Sequence, residues 1–298
     1  KSIPDVIQQE FAQFNNNTEE RIGYYCVARN QVQVEDIKDG DHSSLASIPQ
    51  GTRGKAKLLF KEDGIVAGLE LAQVILEQLD PDITIEFFNK DGDYVKKGDI
   101  GFIVEGSVHA ILAGERLLLN CMQRLSGIAT HTHHLIQLMG DSKSKLLDTR
   151  KTTPNLRFLE KWAVTVGGGY NHRIGLYDMI MLKDNHIDFA GGITKAIDKT
   201  KQYLKETNRD LKIIVEARDL NEIKEILKSD GVYRILIDNF NYEDTREAVK
   251  LIGDKCLTES SGGINENTIR EYALCGVDYI SSGALTHSVY NKDLSLKA

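Results

Sequence analysis

From about residue 145 onward the chain repeats one pattern: a short β-branched apolar run, a polar turn, then a segment whose apolar residues recur at three and four positions. The runs are "KLLDTR" (145–150), "MIMLKD" (179–184), "KIIVEA" (212–217), "RILIDNF" (234–240), "CLTESS" (256–261) and "YISSGA" (279–284). Helical periodicity marks the intervening "NEIKEILKSD" and "ENTIREYALCG". Alternation at this spacing predicts parallel βαβ units, as a doubly wound sheet or a (β/α) barrel. Six such units can be counted, fewer than the eight that close a complete barrel. No GxGxxG follows any of these strands, which argues against a dinucleotide site.

Residues 1–120 carry a different pattern. In "GKAKLLFKEDGIVAGLELAQVILEQL" a strand and a turn precede a helix expected over about 68–79. "ITIEFFNKDGDYVKKGDIGFIVEGSVHAIL" then holds three β runs broken by Asp-Gly and Gly-Asp turns. An antiparallel sheet backed by a helix is expected, as a separate α+β domain. Its DGDxVxxGD spacing resembles that of biotin or lipoyl carrier domains, but no lysine stands in the required hairpin, so a plain hairpin is expected. "GERLLLNCMQRLSGIATHTHHLIQLM" reads as a long helical connection. The expected division is therefore 1–120 and 121–287, with the tail 288–298 packing back on the first domain.

Composition narrows the class rather than the fold. The chain has 298 residues, 41% hydrophobic and 27% charged, as ordinary soluble globular proteins do. A net charge of −7 argues against a general nucleic-acid or membrane-surface binder, so an anionic ligand needs its counter-charges gathered locally. Cys26, Cys121, Cys256 and Cys275 form no CxxC and no zinc-like spacing with histidine; they read as reduced thiols of a cytoplasmic protein. "KSIPDVIQQEFAQFNNNTEER" lacks the apolar core of a leader, and no apolar run approaches membrane-spanning length.

Positive charge is concentrated between 116 and 183, in Arg116, Arg150, Lys151, Arg173 and Lys183, with His172 able to add to it. Arginine's planar fork suits carboxylate or phosphate, and lysine acts as a mobile point charge. The predicted strands finish on Arg150, Asp184, Glu216, Asp238, Ser261 and Gly283, and in a parallel barrel such ends converge on one mouth. Glu216 and Asp238 end successive strands, so their carboxylates suit Mg²⁺ beside a phosphate-rich ligand, or else pair with Lys183 or Arg150. "ESSGGINENT" and "ISSGALTHS" follow the last two strands, where backbone N–H groups hold a phosphate. Of His131, His133 and His134, two are only two positions apart on a predicted helix and cannot share one face, which leaves the three a structural or solvent-facing role. His42, His109, His186 and His287 are assigned none.

In "VGGGYNHRIGLYD" (166–178) three glycines precede His172 and Arg173. A glycine run loses much conformational entropy on ordering, so the expected role is to fold the chain tightly inward and deliver both side chains to a pocket.

These motifs carry a resemblance. "GERLLLN…RLSGIAT", "LDTRKTTPNLR", "VGGGYNHRIGLYDMIMLKDNH", "VEA", "IDNF", "ESSGGI" and "SSGALTHS" occur in the order found in the quinolinate phosphoribosyltransferases and span 114–288. "EDIKDGD" and "AGL" extend the match into the N-terminal half; Asn155 stands where glycine is usual, and "GDHSS" replaces a GD-x-T pattern. The resemblance implies an open α+β sandwich domain followed by an incomplete α/β barrel, assembled as a homodimer or a multiple of dimers. It implies a pentosyltransferase that joins quinolinate to phosphoribosyl pyrophosphate with Mg²⁺, releasing nicotinate mononucleotide, pyrophosphate and CO₂. By position, Arg150, His172, Arg173 and Lys183 would surround quinolinate's carboxylates, with Arg116 supplied by the neighbouring subunit. Lys151 would lie near both substrates. Glu216 and Asp238 would serve metal and ribose, and Ser261, Gly262, Ser282 and Gly283 would seat the 5′-phosphate. Lys151, Lys183, Glu216 and Asp238 would be the catalytic set. Competing readings are a nicotinate-type transferase without decarboxylation, a Schiff-base aldolase using Lys183, and a non-catalytic barrel that binds a phosphoribosyl metabolite.

Overall fold

The structure is a computed structural model that describes residues 36–298; Cys26 and the N-terminal segment discussed above lie outside the described residues. The described chain splits into two compact units, one comprising residues 36–130 together with Val289–Ala298, the other His131–Ser288.

In the first unit, α1 (His42–Ser47) is capped by Asp41, whose carboxylate accepts from Ser44 N at 3.2 Å and Ser44 Oγ at 2.5 Å. The departure "GDHSS" is thus a working N-cap. β1 (Arg53–Phe60) lies between β12 (Leu294–Lys297) and β5 (Ile100–Ser107), and β5 pairs with β3 (Thr84–Phe87), all antiparallel. β2 (Gly64–Ile65) pairs with β4 (Tyr94–Val95). α2 (Leu69–Leu79) buries Leu69, Leu71, Ala72, Ile75 and Leu76. Its first turn is capped from a distance: Gly68 N and Leu69 N donate to Asp91 at 2.7 and 3.0 Å, so an aspartate of the supposed carrier motif closes a helix end.

One boundary differs from expectation. "VHAIL", taken as the end of a β run, opens α3 (Val108–Met139). Its β-branched and apolar residues fit either element, but Ser107 Oγ accepts from Ala110 N at 3.5 Å and begins the helix there.

The second unit is a six-stranded parallel sheet ordered β6-β11-β10-β9-β8-β7. The strands are β6 (Lys145–Leu147), β7 (Ile180–Leu182), β8 (Ile213–Ala217), β9 (Arg234–Asp238), β10 (Leu257–Ser261) and β11 (Tyr279–Ser281). Tyr170 adds one parallel bridge beside Leu147, which carries the open edge a step further without a seventh strand. Between the strands run α4 (Arg157–Val166), α5 (Asp184–Ala190), α6 (Ile193–Glu206), α7 (Leu220–Ile226), α8 (Tyr242–Ile252) and α9 (Ile269–Leu274), and α10 (Ala284–His287) follows β11. Met181, Ile214 and Leu236 meet in a buried cluster between adjacent strands. An incomplete (β/α) barrel after an α+β sheet domain is the architecture expected.

Candidate active site

The strand ends and the loops after them line one cavity of about 890 Å³ in the second unit. Arg150, Lys151, His172, Arg173, Lys183, Asp238, Ser261, Gly262, Ser282 and Gly283 all line it. Glu216 joins it through a 2.7 Å ion pair with Lys183. Sheet order spaces these groups: Lys183 follows β7, Glu216 lies in β8, Asp238 closes β9, Ser261 closes β10, Ser282 and Gly283 follow β11, and Arg150 follows β6. The acidic groups therefore sit on neighbouring strands, and the serine-glycine loops stand between them and the arginine.

Three expected strand-end residues are displaced. Arg150, Asp184 and Gly283 lie beyond their strands, because ladder pairing stops at Leu147, Leu182 and Ser281. Asp184 is the first residue of α5 and is not among the cavity-lining residues. Arg116 belongs to α3 in the first unit and is not among them either.

The three glycines do unequal work. Gly167 has an ordinary φ of −71. Gly168 needs its freedom, with φ +93. At Gly169 a Cβ would stand 2.8 Å from both Thr132 Cγ2 and Val164 Cγ1, so the backbone must pass close to two helices. The chain then enters Tyr170's bridge and is gripped at His172. His172 N donates to Asp148 at 2.8 Å, Lys161 Nζ donates to the His172 carbonyl at 2.9 Å, and Lys161 also donates to Asp148. Burial pushes the Asp148 carboxyl up to about 6 against the pull of Lys161.

Two arginines meet the cavity with little compensation. Arg150 Nε is buried with no hydrogen-bond partner among the described residues. Burial, and after it the Arg150 charge, lower the Arg173 guanidinium from its ordinary value, with Asp178 opposing. Loops fasten around them: Arg157 donates to Thr152 Oγ1 at 3.0 Å and to the Ile174 carbonyl at 3.1 Å, and Glu160 accepts from Thr153 N and Oγ1 at 3.0 and 2.8 Å. Asn155, where the resemblance leads one to expect glycine, has φ +65, a left-handed conformation that asparagine tolerates.

At the other end Asp238 accepts from Asn239 Nδ2 at 2.6 Å. Burial, then the Glu216 charge, hold its carboxyl above the ordinary value. Gly262 and Gly263 have φ +98 and +61. Ser282's hydroxyl already donates to the Ile264 carbonyl at 3.0 Å, so it ties the two serine-glycine loops together. Thr286 Oγ1 donates to the Lys151 carbonyl at 2.7 Å, anchoring the basic loop to α10.

A model of the quinolinate phosphoribosyl transferase C-terminal domain matches residues 128–297, and one of the N-terminal domain matches residues 41–126. The chain belongs to the quinolinate phosphoribosyltransferase family. It is similar to the chloroplastic nicotinate-nucleotide pyrophosphorylase [carboxylating] of Arabidopsis thaliana, 46% identical over 87% of this chain and 78% of that protein. The probable enzyme of the same name from Bacillus subtilis is 41% identical over 90% and 91%. The crystal structure of NadC from Streptococcus pyogenes matches with TM-score 0.88 at 38% identity, covering 95% of this chain and 98% of that one.

This family member also places at the cavity residues that motif reading passed over. His186 and His287 line it, and His186 Nδ1 accepts from Lys183 N at 3.1 Å. Glu259 lines it from inside β10, fully buried, with Arg234 NH1 at 2.6 Å. A glutamate inside a run read as strand was the available signal; its partner, a neighbour only across the sheet, was not visible. His133 bonds Gln137 at 2.8 Å, and His134 lies 3.8 Å from Glu266.

Proposed function

We propose that the chain transfers the phosphoribosyl group of phosphoribosyl pyrophosphate to the ring nitrogen of quinolinate with decarboxylation, giving nicotinate mononucleotide, pyrophosphate and CO₂. The observation that carries this reading is the crowding of Arg150 and Arg173 in one cavity, with Arg150 Nε buried and without a hydrogen-bond partner among the described residues. Such a site costs free energy unless an anion neutralises it, and a dicarboxylate supplies two charges in a rigid plane. Arg150, His172, Arg173 and Lys183 hold the pyridine in register, where positioning substitutes for lost entropy. Lys151 stands between this group and the pyrophosphate.

As pyrophosphate leaves the anomeric carbon, positive charge develops on the ribose, and the carboxylates of Glu216 and Asp238 stabilise it. The ring nitrogen bonds to that carbon and becomes cationic. Electrons from the departing carboxylate are then held at the adjacent ring carbon beside the cationic nitrogen as CO₂ is released, and that carbon takes up one proton from solvent to give nicotinate mononucleotide. Ser261, Gly262 and Gly283 seat the 5′-phosphate, with Ser282 holding their loops in place.

Glu216 and Asp238 offer hard oxygen donors, and no cluster of three or more potential metal-binding side chains occurs among the described residues. These two carboxylates would hold Mg²⁺, which when bound would supply positive charge to offset that of the phosphates. Arg116 completes the quinolinate site from a second copy of the chain, in a homodimer or a multiple of dimers.

The test is stoichiometric: with quinolinate, phosphoribosyl pyrophosphate and Mg²⁺ the protein releases CO₂ and nicotinate mononucleotide in equal amounts. Turnover of nicotinate in place of quinolinate would transfer the assignment to the non-decarboxylating class.

A further inference from the structure

One buried ion pair in the barrel is not used by the chemistry above. Glu259 lies in the middle of β10 and is fully buried. Arg234 opens β9, two positions before Glu259's register partner Leu236, and reaches it with NH1 at 2.6 Å. The Arg234 guanidinium is itself covered by Tyr279, 4.0 Å from the ring centroid, and by Tyr233 at 5.4 Å. The same carboxylate oxygen that Arg234 holds, Oε2, stands 3.4 Å from His172 Nε2, an electrostatic approach short of a hydrogen bond, and Nε2 is buried with no other partner among the described residues.

His172 is otherwise fully committed. Its N–H and carbonyl are held by Asp148 and Lys161, and its Nδ1 accepts from Arg173 N at 2.6 Å. An Nδ1 that accepts carries no proton, so the ring's proton resides on Nε2, which faces Glu259. Arg234 neutralises Glu259, so the carboxylate can attract that N–H without requiring a second cation. Burial pushes the Glu259 carboxyl up, yet the His172 ring N–H and the Arg234 guanidinium facing it outweigh that and hold it below its ordinary value.

We propose that Glu259, charge-balanced by Arg234, is a positioning residue for the quinolinate site: it aims the His172 ring and keeps its proton on Nε2. It acts through His172 and touches no reacting atom. The inference rests on the reading that His172 contacts quinolinate, and the experiment separates the two.

Steady-state constants are measured for His172→Ala, Glu259→Gln and the double variant. Because Glu259→Gln leaves Arg234 buried without a counter-charge, the neutral pair Arg234→Met/Glu259→Gln is made as well. Expected for Glu259→Gln, and for the neutral pair, is a rise of about tenfold in KM for quinolinate, the size of one misplaced hydrogen bond. kcat and KM for phosphoribosyl pyrophosphate should stay within about twofold, and Glu259→Gln should add nothing in the His172→Ala background, as coupling through one residue requires. In ¹⁵N NMR of the labelled protein the His172 ring should show a protonated Nε2 and a bare Nδ1, and mixed tautomers in the neutral pair. If His172→Ala leaves quinolinate KM unchanged, the site reading fails and takes this inference with it. If His172→Ala raises that KM but Glu259→Gln and the neutral pair do not, or if the Glu259 effect persists undiminished without His172, only the positioning role is overturned.

Discussion

A methyl group added at Gly262 would run into the Asn239 side-chain oxygen and stand 2.9 Å from Asn239 N, on a backbone already at φ +98. Asn239 is itself left-handed at φ +58 and holds Asp238, so the collision would reach both the phosphate loop and the carboxylate. Gly262→Ala should lower kcat/KM for phosphoribosyl pyrophosphate by about a hundredfold, the scale of an ångström-sized displacement. Quinolinate binding, measured by calorimetry, should be nearly unchanged. Gly168→Ala acts by backbone strain instead: the added Cβ meets only Ile136 Cδ1, at 3.5 Å, but φ is +93. The cost of about 1–2 kcal/mol would be relieved by shifting the segment that carries His172 and Arg173. Quinolinate affinity should therefore fall, and unchanged affinity would remove the delivery role of the glycine run.

At the scale of elements, the site is held by contacts between helices and strand-end loops. Lys161 of α4 neutralises Asp148 and grips the His172 backbone, all within a buried patch. Lys161→Met would leave that carboxylate without its counter-charge and should destabilise the protein by about 3–5 kcal/mol, read from urea midpoints. Glu259 gives a pH test with a definite sign. Its folded value of about 2 lies below its ordinary 4.5, so its stabilising share is complete above pH 4.5 and drains away as pH falls towards 2. The neutral pair Arg234→Met/Glu259→Gln should accordingly lose less stability than the unaltered protein over that interval. The βαβ alternation was legible because strand and helix periods differ, and the motifs led to nearly every cavity-lining cation. Strand ends were overread at Arg150, Asp184 and Gly283, because a polar residue after an apolar run does not reveal where ladder pairing stops. The Arg234–Glu259 pair was invisible for a related reason: its members are 25 positions apart and adjacent only across two strands.

For the whole molecule, the informative quantity is the contrast between a net charge of −7 and a cavity that gathers Arg150, Lys151 and Arg173. An acidic protein surface repels the polyanionic substrates in general and leaves one place where they are attracted. If Arg116 of a second copy completes that place, each site is built from two chains, and inactivating lesions on different chains should complement. Arg116→Ala and Lys183→Ala, each nearly inactive alone, are mixed in equal amounts and allowed to exchange subunits. Half of the resulting dimers are mixed, and each mixed dimer has one site bearing both lesions and one bearing neither. Activity should return to about a quarter of the unaltered level, a value set by symmetry rather than by the strength of either contact. An Arg116 that served its own chain would give no recovery at any mixing ratio, because every site would then keep one lesion however the subunits were paired.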